Sequence, residues 1–401
     1  MDSIAALPRR RALVLLSETF ADGGIQRFNR TFLSACDRLS IACDVLSLGD
    51  TEDSRQRWNA PRSAQIRVFN REKVRFSLAM LHAAISGRYD FVIIGHVNLL
   101  ELATGCLALR RRHRPRLMMI AHGIEVWNGL SRGRRSALTV LDLILSVSRY
   151  TRERIAAQVP ALTDAQFTIF PNALSETWTG RFAPSGHEDV VSCLPQNFLL
   201  SVTRLDPGDR YKGIVSVVEA MAMLEDSSLH YVIAGRGQDQ EFLQSVVQRF
   251  GLKDRVHFVG AVSDAHLASL YRRCRAFVLP SGKEGFGIVF LEAMFFGAPV
   301  IAAREKGAVD VVRDGETGLT VGYGDTVALA RAIERIVRDV DLRERLRAAG
   351  RATVLGHGRF TFEAYTARLA RIFQISEPVS RRDLSQDGAQ RGLVSYRAQG
   401  R

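Results

Sequence analysis

The chain has no apolar stretch near the roughly 20 residues a membrane-spanning helix needs, which excludes a multi-span membrane protein. Its longest such run, 137–147, is interrupted by Asp142. The run Ala12–Leu16 behind Arg9, Arg10 and Arg11 is too short for a signal-peptide core, so a cytoplasmic location is expected. Cysteine is scarce. Cys36, Cys43, Cys106, Cys193 and Cys274 are odd in number and show no C-x-x-C spacing, which argues against a disulfide framework or a zinc site. A dinucleotide fingerprint is missing as well: Gly235-Arg236-Gly237 follows an apolar run, but Gln240 stands where the third glycine belongs. No recognised nucleic-acid module or interleaved aromatic platform is present, so no nucleic-acid partner is expected.

What is there is a 401-residue chain, 46% hydrophobic and 24% charged, of a size suited to two globular domains. The formal charge of +13 is uneven. Residues 1–172 hold 25 basic against 15 acidic side chains, and the remainder nearly balances. Clusters stand at Arg110–Arg116 (with His113 and Arg114) and at Arg132–Arg135, and Arg71, Lys73, Arg75 and Phe76 precede an amphipathic stretch. Only 5 of the 55 basic residues are Lys, so a bias of composition is one reading of the arginines. The other is a field that attracts an anionic partner, such as a phosphorylated substrate or an anionic membrane surface.

Short apolar runs at 12–16, 42–46, 91–94, 117–121, 143–147 and 167–170 alternate with segments of helical spacing, for example 27–39, 99–112 and 149–158. The alternation stops in the polar stretch 173–196 and restarts with strands expected at 198–202, 230–234, 256–259, 276–279, 300–303 and 319–321. Helical spacing is expected over 326–348 and a last helix over 360–373. The pattern predicts two α/β domains with mainly parallel sheets and a ligand cleft beyond the carboxyl ends of the strands. The boundaries expected are 1–180 for the N-terminal domain, 181–196 for a linker, 197–358 for the C-terminal domain, 359–375 for a helix packing back, and 376–401 for a disordered tail.

The densest signal is Pro-Ser-Gly-Lys-Glu-Gly-Phe-Gly-Ile-Val-Phe-Leu-Glu-Ala-Met from Pro280. A strand ends in a glycine-rich turn and a helix follows, ended by Gly297 and Pro299. Exposed N–H groups at such a helix start favour an anion, and Glu284 and Glu292 can face one ligand from its two ends. Asp339-Val340-Asp341 reads as a solvated helix boundary and not as a metal site.

The string from Glu284 to Glu292 resembles the Glu-x7-Glu motif of the retaining glycosyltransferases of family 4, whose GT-B fold consists of two facing Rossmann-like domains with an active-site cleft between them. The likeness runs over roughly residues 12 to 375. Gly23-Gly24 is similar to the family's glycine loop against the donor diphosphate. His122 in Ala-His-Gly-Ile-Glu resembles the active-site histidine, and Pro171-Asn172 resembles the end of the N-terminal domain, with Ala173 where glycine is usual.

The resemblance implies that Arg204 and Lys212 hold the donor's phosphates, at a spacing longer than the commonest one. It implies that Glu284 with the Gly285-Phe286-Gly287 backbone reads the sugar hydroxyls. The amides of Ile288 and Val289 would meet the distal phosphate, Glu292 the ribose, and Val262 the base. His122 would orient the sugar at the reacting centre. The implied reaction moves a hexose from a UDP- or GDP-linked donor to a hydroxyl of a glycan or lipid-linked acceptor, with retention, no metal and no cofactor. The setting would be bacterial cell-envelope or exopolysaccharide synthesis, with the N-terminal domain binding the acceptor. A non-catalytic binding or scaffold protein and a sugar-nucleotide epimerase are the alternatives on the same fold.

Overall fold

A computed structural model describes residues 10–21, 23–56, 58–109, 114–175, 194–356 and 359–375. In these the apolar runs become two parallel sheets. The first comprises β1 (Arg11–Leu16), β2 (Ala42–Ser47), β3 (Ala64–Val68), β4 (Phe91–Ile94), β5 (Arg116–Ala121), β6 (Leu143–Ser146) and β7 (Phe167–Ile169). The second comprises β8 (Phe198–Val202), β9 (His230–Ala234), β10 (Val256–Gly260), β11 (Ala276–Leu279), β12 (Val300–Ala303) and β13 (Leu319–Val321). Their orders are β3-β2-β1-β4-β5-β6-β7 and β10-β9-β8-β11-β12-β13.

Both are doubly wound. The order reverses beside β1 in one sheet and beside β8 in the other, and the crevice at such a reversal opens beyond the carboxyl ends of the strands. The central strands are continuous apolar runs because helices cover both faces. Val14, for instance, lies between Val45 and Ile93 in register, and all three are fully buried.

The structure adds β3, which the sequence pattern did not signal. In Ala-Gln-Ile-Arg-Val only Ile66 is buried, because β3 is the edge strand. The helical stretch 326–348 is two helices, Thr326–Arg338 and Val340–Arg351, with the expected boundary at Asp339. Asp339 breaks the run by accepting the Leu342 amide at 2.8 Å and capping the second. Expected helix 99–112 ends at Ala108; residues 110–113 lie outside the described ones, as do Cys193, most of the expected linker and the expected tail.

The last helix, Phe362–Phe373, packs on the N-terminal sheet's helix Gly24–Arg38. Its Tyr365 ring lies 5.9 Å from Phe28 and 4.5 Å from Phe170, and Phe373 lies 4.4 Å from Phe91. Arg116 donates to the Ile372 carbonyl at 2.7 Å. A helix that follows the second sheet in sequence thereby clamps the first.

Candidate functional site

Each site residue singled out from the sequence sits beyond the carboxyl end of a strand, in the turn or in the helix that follows. Gly23 and Gly24 follow β1, and Gly24 opens helix Gly24–Arg38. His122 follows β5, Arg204 and Lys212 follow β8, Val262 follows β10, and Glu284 to Val289 follow β11. The site is thus assembled by two sheets presenting the same edge.

Glycine lets the two backbones approach each other at the cleft. A Cβ on Gly285 would lie 2.2 Å from the His122 carbonyl oxygen, and one on Gly123 would lie 2.6 Å from the Gly285 Cα. Gly123 also has φ +139, a conformation that other residues rarely adopt. The His122 and Gly123 amides both donate to the Glu125 carboxylate, at 2.7 and 3.1 Å, which fixes this turn. Nearby, a Cβ on Gly24 would lie 3.9 Å from Ile288, so the glycine loop after β1 faces the start of helix Ile288–Phe295. That helix has no side-chain cap, which leaves its first amides without a side-chain acceptor.

The His122 ring is buried, with Phe28 edge-on at 4.9 Å, and its Nε2 donates to the Gly95 carbonyl at 3.0 Å. Burial lowers its pKa to about 4, against the smaller opposing pull of the Gly95 bond. His122 is therefore neutral at physiological pH, with the proton on Nε2 and a lone pair on Nδ1. It can orient or accept, but it carries no charge. His96, after β4, is a second histidine here that the sequence did not flag; burial also lowers its pKa, and His122 contributes to that.

Lys212 and Glu284 form a largely buried ion pair of 2.8 Å. Arg204, 65% exposed, reaches Asp209 at 3.1 Å, and Tyr211 donates to the same carboxylate at 2.8 Å. Arg210 is bound bidentately to Asp239 at 2.7 and 2.6 Å and stacks 3.8 Å over the Phe242 ring. These acids explain how the long spacing between Arg204 and Lys212 is accommodated: Asp209 and Asp239 tie the intervening turn down.

Glu292 is only 2% exposed. It accepts from the Arg27 guanidinium of the other sheet's first helix and from Tyr271 Oη at 3.1 Å. Burial raises its pKa, while Arg27 and Tyr271 favour the charged form. Arg27 also reaches Asp264 at 3.5 Å, two residues after Val262, which is partly buried at the same rim. Arg27, Tyr271 and Asp239 were not legible as site residues, since their partners lie on other elements; Asp209 pairs locally with Arg204 and Tyr211.

Asn172 is buried, and its Oδ1 has no hydrogen-bond partner among the described residues. Several clustered arginines are structural: Arg116 lies in β5, Arg114 pairs with Asp142 at 3.3 Å, and Arg135 donates to the Leu130 carbonyl at 2.9 Å. Among the described residues, no group of three or more His, Cys, Asp or Glu side chains is placed to hold a metal ion.

Two family profiles match the chain, Glycosyltransferase Family 4 over residues 22–176 and Glycosyl transferases group 1 over residues 187–353. The lipopolysaccharide core biosynthesis glycosyltransferase LpsE of Rhizobium meliloti is 37% identical over 157 residues, 39% of this chain and 44% of that protein. The phosphatidyl-myo-inositol mannosyltransferase of Mycobacterium leprae is 36% identical over 166 residues, 41% of this chain and 43% of that one. The match thus spans less than half the length of either relative. Among solved structures, Anabaena HepE in complex with UDP superposes with a TM-score of 0.72 at 18% identity, covering 91% of this chain and 99% of that one, which shows the GT-B fold.

Proposed function

Since the chain belongs to the family 4, group 1 glycosyltransferases, we propose that it transfers a hexose from a nucleotide diphosphate sugar, UDP- or GDP-linked, to a hydroxyl of a glycan or lipid-linked acceptor, with retention and without a metal. The observation that carries this reading is the Lys212–Glu284 pair beside the uncapped start of helix Ile288–Phe295, directly across the cleft from His122.

Breaking a sugar–phosphate bond develops negative charge on the departing diphosphate and positive charge at the anomeric carbon. Lys212, Arg204 and the amides of Ile288 and Val289 supply preorganised positive charge and dipoles for the former. The carboxylate of Glu284 lies on the sugar side, where it offsets the latter and binds a hydroxyl. Glu292 and Val262 take the ribose and base. His122, neutral and fixed through Nε2, orients the sugar; the leaving phosphate oxygen takes the proton of the attacking hydroxyl on the same face. The basic N-terminal domain brings the protein to an anionic membrane surface where the acceptor resides, as in cell-envelope synthesis. Incubation with candidate donors and acceptors in the presence of chelator, with the anomeric configuration of the product read by NMR, tests the reaction. An inverted product, or transfer that stops with the chelator, refutes it.

A further inference from the structure

Helix Lys73–Ser86 has two apolar faces. Phe76, Met80, Ala83 and Ala84 are buried against the sheet, and Phe76 sits edge-on to Phe69 at 5.4 Å. On the other side Val74, Leu78, Leu81 and Ile85 follow one another at i, i+4, i+7 and i+11, which is a single stripe along the helix. Val74 is 73% exposed, Leu78 62% and Ile85 60%. Isolated exposed aliphatics are ordinary on a protein surface; three exposed ones in a row, with the half-buried Leu81 between them, are not. Beside it, on the neighbouring helix Leu100–Ala108 and at its C-cap, Leu102 and Leu109 are exposed as well.

Charge says what covers this face. Residues 71–88 carry Arg71, Lys73, Arg75 and Arg88 against one acid, Glu72. On the helix, Lys73 and Arg75 each stand one residue to either side of Val74, Arg75 pairs with Glu72 at 2.9 Å across exposed surface, and no acid falls on the stripe itself. A second copy of the chain would bring like charges together across a two-fold contact. A protein groove is also a poor fit: the stripe is a convex ridge without an aromatic anchor, and aromatic residues dominate protein hot spots. An anionic bilayer matches both features, taking the aliphatics into its interface and the cations at its headgroups.

We propose that helix Lys73–Ser86 is the element that enters the membrane interface, with Val74, Leu78, Leu81 and Ile85 buried among acyl chains and Lys73 and Arg75 on anionic headgroups. This rests on the reading of the N-terminal domain as membrane-facing, and it changes the nature of the contact from electrostatic adhesion to shallow insertion. It also orients the cleft. The helix begins after β3, at the edge of the sheet that carries the site, and Arg71 reaches Glu18 beyond β1 at 3.6 Å. The cationic end of the stripe therefore lies on the cleft side, where an acceptor held in the bilayer can meet the donor.

Flotation with phosphatidylcholine vesicles, with and without phosphatidylglycerol, decides the matter when combined with light scattering. Wild type should bind the anionic vesicles and retain part of that binding at high salt. L78S/I85S, at exposed positions that leave the core intact, should lose affinity by on the order of tenfold or more at every salt concentration. K73Q/R75Q should lose the salt-sensitive part of the binding to anionic vesicles and keep the salt-resistant part. Transfer to a water-soluble acceptor should be unchanged in L78S/I85S. If that variant binds like wild type, the insertion is wrong while the electrostatic reading stands. If wild type binds neither vesicle, both fall. A dimer dissolved by L78S/I85S, with no vesicle binding, would assign the stripe to a second copy instead.

Discussion

Arg27, in the first turn of the helix after β1, ion-pairs with Glu292 in a helix of the other sheet, 265 residues away in sequence. The carboxylate is nearly inaccessible, and Tyr271 completes its hydrogen bonding at 3.1 Å. A buried charge deprived of its partner is costly, so this pair couples the relative position of the two domains to the group assigned to the ribose. Arg27→Ala should weaken donor binding and open the cleft. Small-angle scattering reads the opening, and a donor titration reads the affinity. An unchanged radius of gyration with unchanged affinity would show the contact to be incidental.

Glu292→Gln should mainly raise KM for the donor, because ribose contacts are alike in ground and transition states. Glu284→Gln should instead lower kcat. Steady-state kinetics on the two variants would expose the opposite partition.

Removal of Lys212 or of Arg204 as alanine should slow transfer by roughly 10²- to 10³-fold, the loss expected for one preorganised donor to a developing anion. Because Lys212 and Glu284 are paired at 2.8 Å, their effects should not add. The double variant K212A/E284Q should be little slower than the worse single one; a full product of the two losses would mean that they act independently.

Gly285→Ala should cost on the order of 10²-fold or more in kcat/KM, since a displacement of about 1 Å at a reacting centre is enough for that. The cause is the His122 carbonyl, 2.2 Å from where the new Cβ would sit. Near-normal turnover by this variant would show that the two strand ends need not meet during catalysis.

His122 gives a pH dependence of stability. Its folded pKa of about 4 lies below the ordinary value of 6.5, so between these the unfolded chain binds more protons. Stability should therefore fall as pH drops from about 6.5 towards 4, by about 3 kcal/mol from this group, and the loss should be complete below the folded value. His122→Gln should flatten Tm against pH in that window. A parallel curve for variant and wild type would place the histidine in a more solvated setting.

The strands with continuous apolar runs were legible because burial on both faces leaves no choice of residue, as at β4 and β12, where sequence and structure agree at both ends. β3 was not, because an edge strand buries one side chain and alternates weakly. The glycine-rich turn and its two glutamates stood out for the same reason that they pack closely: only glycine permits the approach. Arg27 and Asp239 stayed invisible because an ion pair between distant segments leaves no periodic trace. The outer stripe of helix Lys73–Ser86 was hidden in an ordinary amphipathic pattern until the structure showed which apolar face was already used.

The most direct test is donor binding itself. A thermal-shift panel of UDP-, GDP- and ADP-sugars, run in chelator on wild type and Lys212→Ala, measures it through the stabilisation that any ligand of the folded state confers. The account predicts that sugars on one base raise the Tm of wild type and lose most of that effect in the variant. No shift with any donor, or an equal shift in both proteins, would contradict it.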